Sequence, residues 1–239
     1  MGKLTQWMDK VLYPGSGKNW DDELFRQRIL KHMRPEHVVL DLGAGAGIVT
    51  QMNFKGHAQK ICGVDLDPRV VDNQMLDEGR VSDAGDIPYD DSLFDLVFSN
   101  NVLEHLAEPA AVFKEVTRVL KPGGLYLFKT PNKWHYVPTI ARLTSHGFHQ
   151  SVNRWRGREI ADVFPTLYRA NTKSGVQGLA ATTGFEVVSI ERIERRPEYM
   201  RFSAATYLAG AIYERIVNAT SLLAPFRVLL VGVLRKSEP

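Results

Sequence analysis

The feature that most constrains the fold is a glycine-rich turn directly after an apolar run, in residues 38–50 (VVLDLGAGAGIVT). The β-branched and aliphatic residues before the turn are typical of a buried strand, and the residues after it can begin a helix. Glycine tolerates the backbone angles of a tight strand-to-helix turn and lets the backbone approach a ligand closely. The stretch therefore predicts a strand, a turn and a helix, with a cofactor site on the turn.

The spacing of the glycines indicates which cofactor to exclude. Dinucleotide-binding turns follow the pattern Gly-x-Gly-x-x-Gly. Here Gly43, Gly45 and Gly47 alternate with single residues, and Ile48 stands where the third glycine of that pattern would be. The turn argues against NAD, and by itself it leaves S-adenosylmethionine (SAM), another nucleotide and simple turn geometry open.

Three stretches together resemble one family. Asp41-x-Gly43-x-Gly45-x-Gly47 resembles motif I of the class I SAM-dependent methyltransferases, and the stretches 103–106 (LEHL) and 118–124 (RVLKPGG) are similar to later segments of the same family. The core resembles the ubiquinone- and menaquinone-methylating, methyltransferase type 11 branch over about residues 37–131. The resemblance implies an α/β fold: a doubly wound, mostly parallel, Rossmann-like sheet of seven strands in the order 3-2-1-4-5-7-6, with helical lid inserts.

The resemblance also implies SAM as the cofactor and S-adenosylhomocysteine as the product. Asp65, at the end of the second predicted strand, would accept hydrogen bonds from the ribose hydroxyls, with Asp67 as the alternative. Asp83 would meet the adenine amino group. Asn100, together with Ser99, would lie near the methionine part, and His105 would shape the pocket or act as a base. The expected cofactor-binding residues are Asp41, Gly43, Ala44, Gly45, Asp65, Leu66, Asp83, Ala84 (through its N–H, to an adenine ring nitrogen), Asn100 and His105.

The length of 239 residues and the ordinary globular composition predict a single domain over 1–239. Its expected parts are a helical N-terminal cap (1–36), the SAM-binding core (37–131), a substrate lid insert (132–172) and C-terminal strands (173–239) with a helical insert (197–225). Periodicity predicts helices over 21–33, 110–120, 174–183 and 202–217, and strands over 125–130, 185–193 and 226–234.

Methyl transfer from a sulfonium is an in-line displacement, so the protein chiefly positions the acceptor and excludes water. A hydroxyl acceptor would gain about 10²–10⁴-fold in rate from a positioned base. His135 is the first candidate for this base, followed by His149 and Tyr136, although each could instead orient the substrate or pack in the lid. We expect no metal site, because no acid lies near His146 and His149 in the sequence.

The charge distribution bears on the acceptor. Residues 31–130 contain 10 basic and 15 acidic side chains, whereas residues 131–172 contain 6 basic and 2 acidic ones. A basic insert favours an anionic or phosphate-bearing acceptor, although exposed Arg and Lys also occur simply as solvated surface. The apolar helix over 202–217, beside Arg195, Arg196 and Arg201, would suit a partly hydrophobic acceptor or a membrane surface. A core or dimer-interface helix would explain it equally well.

We therefore predict methyl transfer to O, N or C of a small-molecule or lipid- or sugar-linked acceptor, by a monomer or homodimer, with peripheral membrane contact as a further option. The alternative is a non-catalytic SAM- or nucleotide-binding module that acts through a partner. No nucleic-acid partner is expected, because Ser99-Asn100-Asn101-Val102 stands in place of an Asn-Pro-Pro-Tyr type segment and the net charge is only +3. The single cysteine, Cys62, and the polar N-terminal sequence favour a cytoplasmic location.

Overall fold

A computed structural model of the chain describes residues 2–15, 17, 19–143 and 165–238. The strands are β1 (Val38–Leu42), β2 (Lys60–Asp65), β3 (Glu78–Val81), β4 (Phe94–Asn100), β5 (Leu120–Pro131), β6 (Phe185–Ile193) and β7 (Leu229–Lys236). They form one sheet in the order β3-β2-β1-β4-β5-β7-β6. The predicted strand order is therefore confirmed.

The α-helices of the described residues are α1 (Lys3–Leu12), α2 (Trp20–His32), α3 (Pro109–Val119), α4 (Tyr136–Leu143), α5 (Lys173–Thr182) and α6 (Ala204–Ala219). The four predicted helices are present with ends shifted by one or two residues. Local capping explains two of these starts. Pro109 occupies the first turn of α3, where a missing N–H costs nothing, and Ser203 and Thr206 form a capping box before α6.

The pairing of the strands decides where a ligand site can form. β1 lies between β2 and β4, and the pairs β1–β2, β1–β4, β2–β3 and β4–β5 are all parallel. The carboxyl ends of β1, β2, β4 and β5 consequently lie at the same edge of the sheet. In doubly wound sheets this is the edge where ligands bind.

One prediction about the connections is wrong. The glycine turn leads not into an α-helix but into a single 3-10 turn, Thr50–Met52. The connection after β2 also contains a 3-10 segment, Pro68–Asp72. Ile48, Val49 and Thr50 are three consecutive β-branched residues, which lower helix propensity. Gly56, with φ of +81°, then changes the chain direction before a helix could extend.

The core of the sheet is aromatic on the side of α3. Phe113 of α3 meets Tyr126 and Phe185 edge-on, with ring centroids 5.7 and 6.2 Å apart. In β7, a Cβ at Gly232 would lie 2.2 Å from the Phe128 ring. Glycine is therefore required there for the ring to fit.

The chain divides into two compact units. Residues 19–130, 167–191 and 230–239 form the first, called here the sheet unit because it contains most of the sheet. Residues 1–18, 131–166 and 192–229 form the second, the helical unit, with α1, α4 and α6. The single domain over 1–239 stays a prediction.

Candidate functional site

The glycine turn at the end of β1 has a backbone conformation that favours glycine. Gly43, Gly45 and Gly47 have φ values of +84°, +52° and +72°, a region that L-residues with side chains rarely adopt. A Cβ at Gly43 would lie 2.3 Å from Val102, and one at Gly47 would lie 2.3 Å from Asn73. At Gly45 the nearest atom would be 3.8 Å away. The backbone at Gly45 is thus the open part of the turn.

Asp65 ties the tip of β2 to this turn. Its Oδ2 accepts a hydrogen bond from the Gly45 N–H at 2.8 Å, and its Oδ1 accepts one from the Asp67 N–H at 2.8 Å. The side chain is half-buried, and each oxygen has a further lone pair for a ligand. Asp67 instead accepts from the Arg69 Nε at 2.8 Å, and this interaction lowers the pKa of Asp67.

Sequence reasoning missed Asn73, which donates hydrogen bonds to the backbone of the same turn. Asn73 is buried, and its Nδ2 donates to the carbonyl oxygens of Ala44 and Gly45, both at 3.2 Å. Its Oδ1 accepts from the Met75 N–H at 2.9 Å. The residue lies in an irregular connection with no periodic pattern, so no signal in the sequence marks it.

Around the turn the structure places one buried acid and two exposed apolar side chains. Asp41 is buried at the end of β1, and burial, followed by the charge of Asp65, raises the pKa of Asp41 well above its usual range. Leu66, just after Asp65, and Ile48, on the turn, are both more than half exposed. The surface beside Asp65 therefore offers apolar side chains on which a flat ring could lie.

Asp83 and Ala84 form a tight turn after β3. The Asp83 side chain is exposed, and its Oδ1 accepts from the Gly85 N–H at 2.7 Å. The Ser82 N–H, one residue earlier, donates to the Asp65 carbonyl oxygen at 3.0 Å. This bond joins the Asp83 turn to the end of β2, so the two acids belong to one edge of the sheet unit.

At the end of β4, the side chains of Ser99 and Asn100 lie in different surroundings. Ser99 is fully buried and shares a 2.9 Å hydrogen bond with the Tyr126 hydroxyl, so it does not emerge at the ligand edge as predicted. Successive strand residues face opposite sides, and this separates Ser99 from Asn100. The Asn100 Nδ2 donates to Asp22 at 3.0 Å, whereas its buried Oδ1 has no partner among the described residues.

A buried ion pair, which sequence reasoning also missed, lies next to Asn100. Lys129 of β5 is fully buried, and its Nζ contacts Asp21 at 2.7 Å and Asp22 at 2.6 Å. Both acids lie in the first turn of α2, where carboxylates are favoured. The available signal was a lysine directly after the apolar run Leu125–Phe128, in the same predicted strand, since a buried lysine requires a counter-charge.

His105 is half-buried in the 3-10 turn Leu103–His105 that follows β4. Its neighbour Glu104 is buried, and its Oε2 accepts from Thr130 Oγ1 at 2.9 Å. Burial raises the pKa of Glu104. The turn thus supplies one accessible imidazole and one buried acid within the sheet unit.

The predicted catalytic residues fall in the helical unit or outside the described residues. His149 lies outside the described residues. His135 is only 1% exposed, and its ring packs against Tyr136, Tyr199 and Tyr213 with centroids 4.1, 5.9 and 5.8 Å away. Tyr136 is half-buried, and burial raises its pKa.

His135 faces a buried acid. Its Nε2 lies 3.6 Å from the Oε2 of Glu194, which also accepts from the Val228 N–H at 2.9 Å. Burial lowers the pKa of His135 to about 3 and raises the pKa of Glu194 to about 8. Between these values both groups are neutral, so the pair avoids the cost of buried charge.

Two of the three arginines beside the predicted apolar helix are already engaged. Arg196 is buried with its Nε 2.6 Å from Glu198, and Arg201 pairs with Glu198 at 2.8 Å and with Asp9. Arg195 is exposed. The positive charge expected at this helix is therefore largely neutralised within the helical unit.

Part of the sheet unit is similar to known proteins. Residues 40–128 match the family model described as a methyltransferase domain. The sarcosine/dimethylglycine N-methyltransferase of Halorhodospira halochloris is 34% identical over 111 residues, which cover 42% of this chain and 40% of that protein. The demethylmenaquinone methyltransferase of Symbiobacterium thermophilum is 28% identical over 137 residues, 50% of this chain and 51% of that protein. The chain thus spans about half or less of the length of these relatives.

Solved structures extend the likeness in fold to the whole chain. The crystal structure of the [4+2]-cyclase SpnF superposes with a TM-score of 0.61 at 17% identity, over 99% of this chain and 96% of that chain. At this identity the likeness concerns the fold alone. Because that neighbour is a cyclase, the shared fold does not determine the reaction.

The Lys129 ion pair generates a stability prediction. Replacing both acids, Asp21→Asn with Asp22→Asn, leaves a buried ammonium without a counter-charge and should lower the free energy of unfolding by about 3 kcal/mol. Adding Lys129→Met should restore most of this loss. Urea unfolding measures both, with the exposed Asp86→Asn as a control that should change little. A triple variant no more stable than the double variant would contradict the assignment.

The buried pair in the helical unit predicts a pH dependence. Folded Glu194 (pKa about 8) retains a proton that the unfolded chain releases near 4.5, so this group stabilises the fold most at low pH and less as pH rises. The opposing contribution of His135 is half complete at pH 6.5, its ordinary pKa, and nearly complete by pH 8. From pH 6.5 to 8, the free energy of unfolding should therefore fall by roughly 1 kcal/mol.

Glu194→Gln keeps an oxygen for the Val228 N–H and removes the titrating group. Urea unfolding at several pH values between 6.5 and 8 should show the decline in the wild type and a flatter profile in the variant. Identical profiles would mean that Glu194 is ionised in the folded protein throughout this range.

Proposed function

Through residues 40–128 this chain belongs to the class I SAM-dependent methyltransferases, and we propose that it transfers a methyl group from SAM to a small-molecule acceptor. The observation that carries this proposal is the clamp between the glycine turn and Asp65 at the ligand edge of the sheet. A backbone turn open at Gly45 and a carboxylate 2.8 Å from its N–H are suited to a nucleoside that brings hydroxyl groups.

The other residues of this edge fit the cofactor. SAM, when bound, supplies an activated methyl group on a sulfonium. The Asp65 carboxylate would accept hydrogen bonds from the ribose, and Leu66 would pack against the adenine. Asp83 and the Ala84 N–H would bind the adenine edge. The buried Oδ1 of Asn100, which has no partner in the described part of the chain, would accept from the amino group of the methionine part.

Asp41, Gly43, Ala44 and Gly45 would contribute mainly by shape, because the glycine turn after β1 would bring the backbone close to the cofactor. His105 would form part of the pocket wall. Residues that hold both substrates and exclude water suffice for methyl transfer, since the displacement requires no nucleophile from the protein.

We propose that the acceptor is small and either anionic or partly hydrophobic. The helical unit, which includes residues 132–166 of the predicted lid, has 14 basic and 6 acidic side chains, a net charge of +8. Such a field would concentrate anions near the unit. Sarcosine and dimethylglycine, which carry a carboxylate, and demethylmenaquinone, which is partly hydrophobic, are the acceptors in the names of two relatives and make good first probes. The methylated atom would be O, N or C accordingly.

For a hydroxyl acceptor, the candidate bases are His135, Tyr136 and His149. The buried environment of His135 makes its imidazole a weak base at neutral pH, because efficient general bases have pKa values near the working pH. For this reason His149 and Tyr136 deserve testing beside it. A non-catalytic SAM-binding module acting through a partner is the alternative, and it would show cofactor binding without turnover for any acceptor.

Calorimetric titration with SAM and with S-adenosylhomocysteine tests the cofactor site. Asp65→Ala should weaken SAM binding about tenfold to a hundredfold, because hydrogen bonds to a charged group contribute about 1.5–3 kcal/mol. Asp67→Ala is the matched control, since Asp67 is engaged with Arg69, and should bind like the wild type. Asp65→Asn retains an acceptor for the Gly45 N–H and so separates loss of charge from distortion of the turn. Equal affinities for the Asp65 and Asp67 variants would contradict the assignment, and no binding by the wild type would contradict the proposed function.

Transfer of a labelled methyl group tests the proposed base. For an acceptor that the wild type methylates at a hydroxyl, alanine at His149 or His135, or phenylalanine at Tyr136, should lower turnover by about 10²–10⁴-fold if that residue is the base. The dissociation constant for SAM should stay unchanged. Normal turnover in a variant would show that the replaced residue is not the base. Wild-type turnover in all three variants would exclude all three candidates.

A further inference from the structure

Contacts on one side of α1, the first helix of the helical unit, fix the orientation of this helix about its axis. Thr5 is buried, Asp9 accepts from the Tyr207 hydroxyl at 2.8 Å and pairs with Arg201, and the Tyr13 hydroxyl donates to Glu214 at 3.0 Å. Thr5 and Asp9 are four residues apart and so share one side of α1, and Tyr13, just after the helix, also contacts α6. The opposite side must therefore face away from α6.

That outer side is apolar. Leu4, Trp7 and Val11, spaced three and four residues apart, are 56%, 59% and 54% exposed. We call these three residues the α1 face. Lys3 and Lys10 are also exposed and flank it. The one acid in α1, Asp9, is on the inner side in its ion pair. The helix therefore presents apolar and cationic groups together and no acid.

This combination is the pattern of a helix that lies in a lipid interface. Large apolar side chains enter the boundary between headgroups and acyl chains, and lysines beside them reach anionic headgroups. Tryptophan is favoured at this depth, because its ring is apolar and its N–H can meet water. A contiguous exposed apolar face is otherwise costly for a protein in water.

The charge of the helical unit distinguishes lipid from a second copy of the chain as the occupant. The unit has a net charge of +8, whereas the sheet unit has 16 basic and 21 acidic side chains and a net charge of −5. Two α1 faces in a symmetric dimer would bring like charges together, and lysine is depleted in the cores of protein interfaces. An anionic lipid surface, in contrast, would be attracted by the positive charge of the helical unit.

A second exposed apolar face, on α6, lacks this charge. Leu208, Ile212 and Ile216 are 53%, 51% and 53% exposed, with Arg215 as the nearby cation within the helix. Arg196 and Arg201 are held by acids, as described above. The α6 face thus matches the α1 face in exposed apolar side chains but not in flanking charge, and it provides a control surface.

We infer that the α1 face docks this protein on anionic lipid surfaces as a peripheral contact. Among the described residues no helix is both long and apolar enough to cross a bilayer. The inference does not rest on methyl transfer, because vesicle binding can be measured without SAM or an acceptor.

Co-sedimentation of the full chain with vesicles tests it. Vesicles of phosphatidylcholine alone and of phosphatidylcholine with phosphatidylglycerol separate apolar from electrostatic binding. The wild type should bind the anionic vesicles and be released from them as the salt concentration rises.

Serine at Leu4, Trp7 and Val11 together should weaken binding about tenfold or more. Serine at Leu208, Ile212 and Ile216 removes a similar apolar area and should leave binding unchanged. Lys3→Glu with Lys10→Glu should weaken binding to anionic vesicles.

Each contrary outcome identifies a different error. No binding of the wild type to anionic vesicles, or equal binding by the α1 variant, overturns the inference. If the α6 variant alone loses vesicle binding, the lipid-binding face is on α6 and not on α1. A dimer in analytical ultracentrifugation that the α1 substitutions convert to monomer would show that a second copy covers this face. Circular dichroism confirms that the variants, all at exposed positions, remain folded.

Discussion

The carboxylate of Asp65 holds together two segments that are 20 residues apart in the sequence. By accepting the Gly45 N–H it fixes the open part of the glycine turn, and by accepting the Asp67 N–H it fixes the end of β2. The bond to Gly45 would not form unless parallel pairing brought the carboxyl ends of β1 and β2 to the same edge. The candidate cofactor site thus depends on the parallel direction of β1 and β2. The glycines allow the backbone angles that the turn requires.

Two buried polar sites show two solutions to the energetic cost of burying charge. Lys129 is held by two carboxylates from α2, so its charge is compensated within the sheet unit. His135 and Glu194 instead shift their pKa values in opposite directions until both are neutral near pH 6. An apolar pair would be at least as stable at either place. The Lys129 contacts, however, also fix Asp22 and through it Asn100, so this ion pair orients a residue of the proposed site.

The parts predictable from the sequence are those with strong local patterns or a family resemblance. The strand order came from the resemblance, and the helices over 110–120 and 174–183 came from periodicity with clear stops, such as Gly184. Ser99 was misplaced because adjacent strand residues face opposite sides, and the sequence does not say which side faces the ligand. The roles of Asn73 and Lys129 depend on contacts across 28 and 108 residues, which no local pattern encodes.

The separation of charge between the two units constrains how an acceptor could be selected. The negative sheet unit would bind its cofactor through hydrogen-bond acceptors, whereas the helical unit carries the positive charge. Electrostatic attraction raises the local concentration of anions but distinguishes poorly between them. An anionic acceptor and an anionic lipid surface would both be drawn to the helical unit. Choice among acceptors must therefore come from shape and from neutral polar groups, and the described interior of that unit is rich in these, with tyrosines around a neutral histidine.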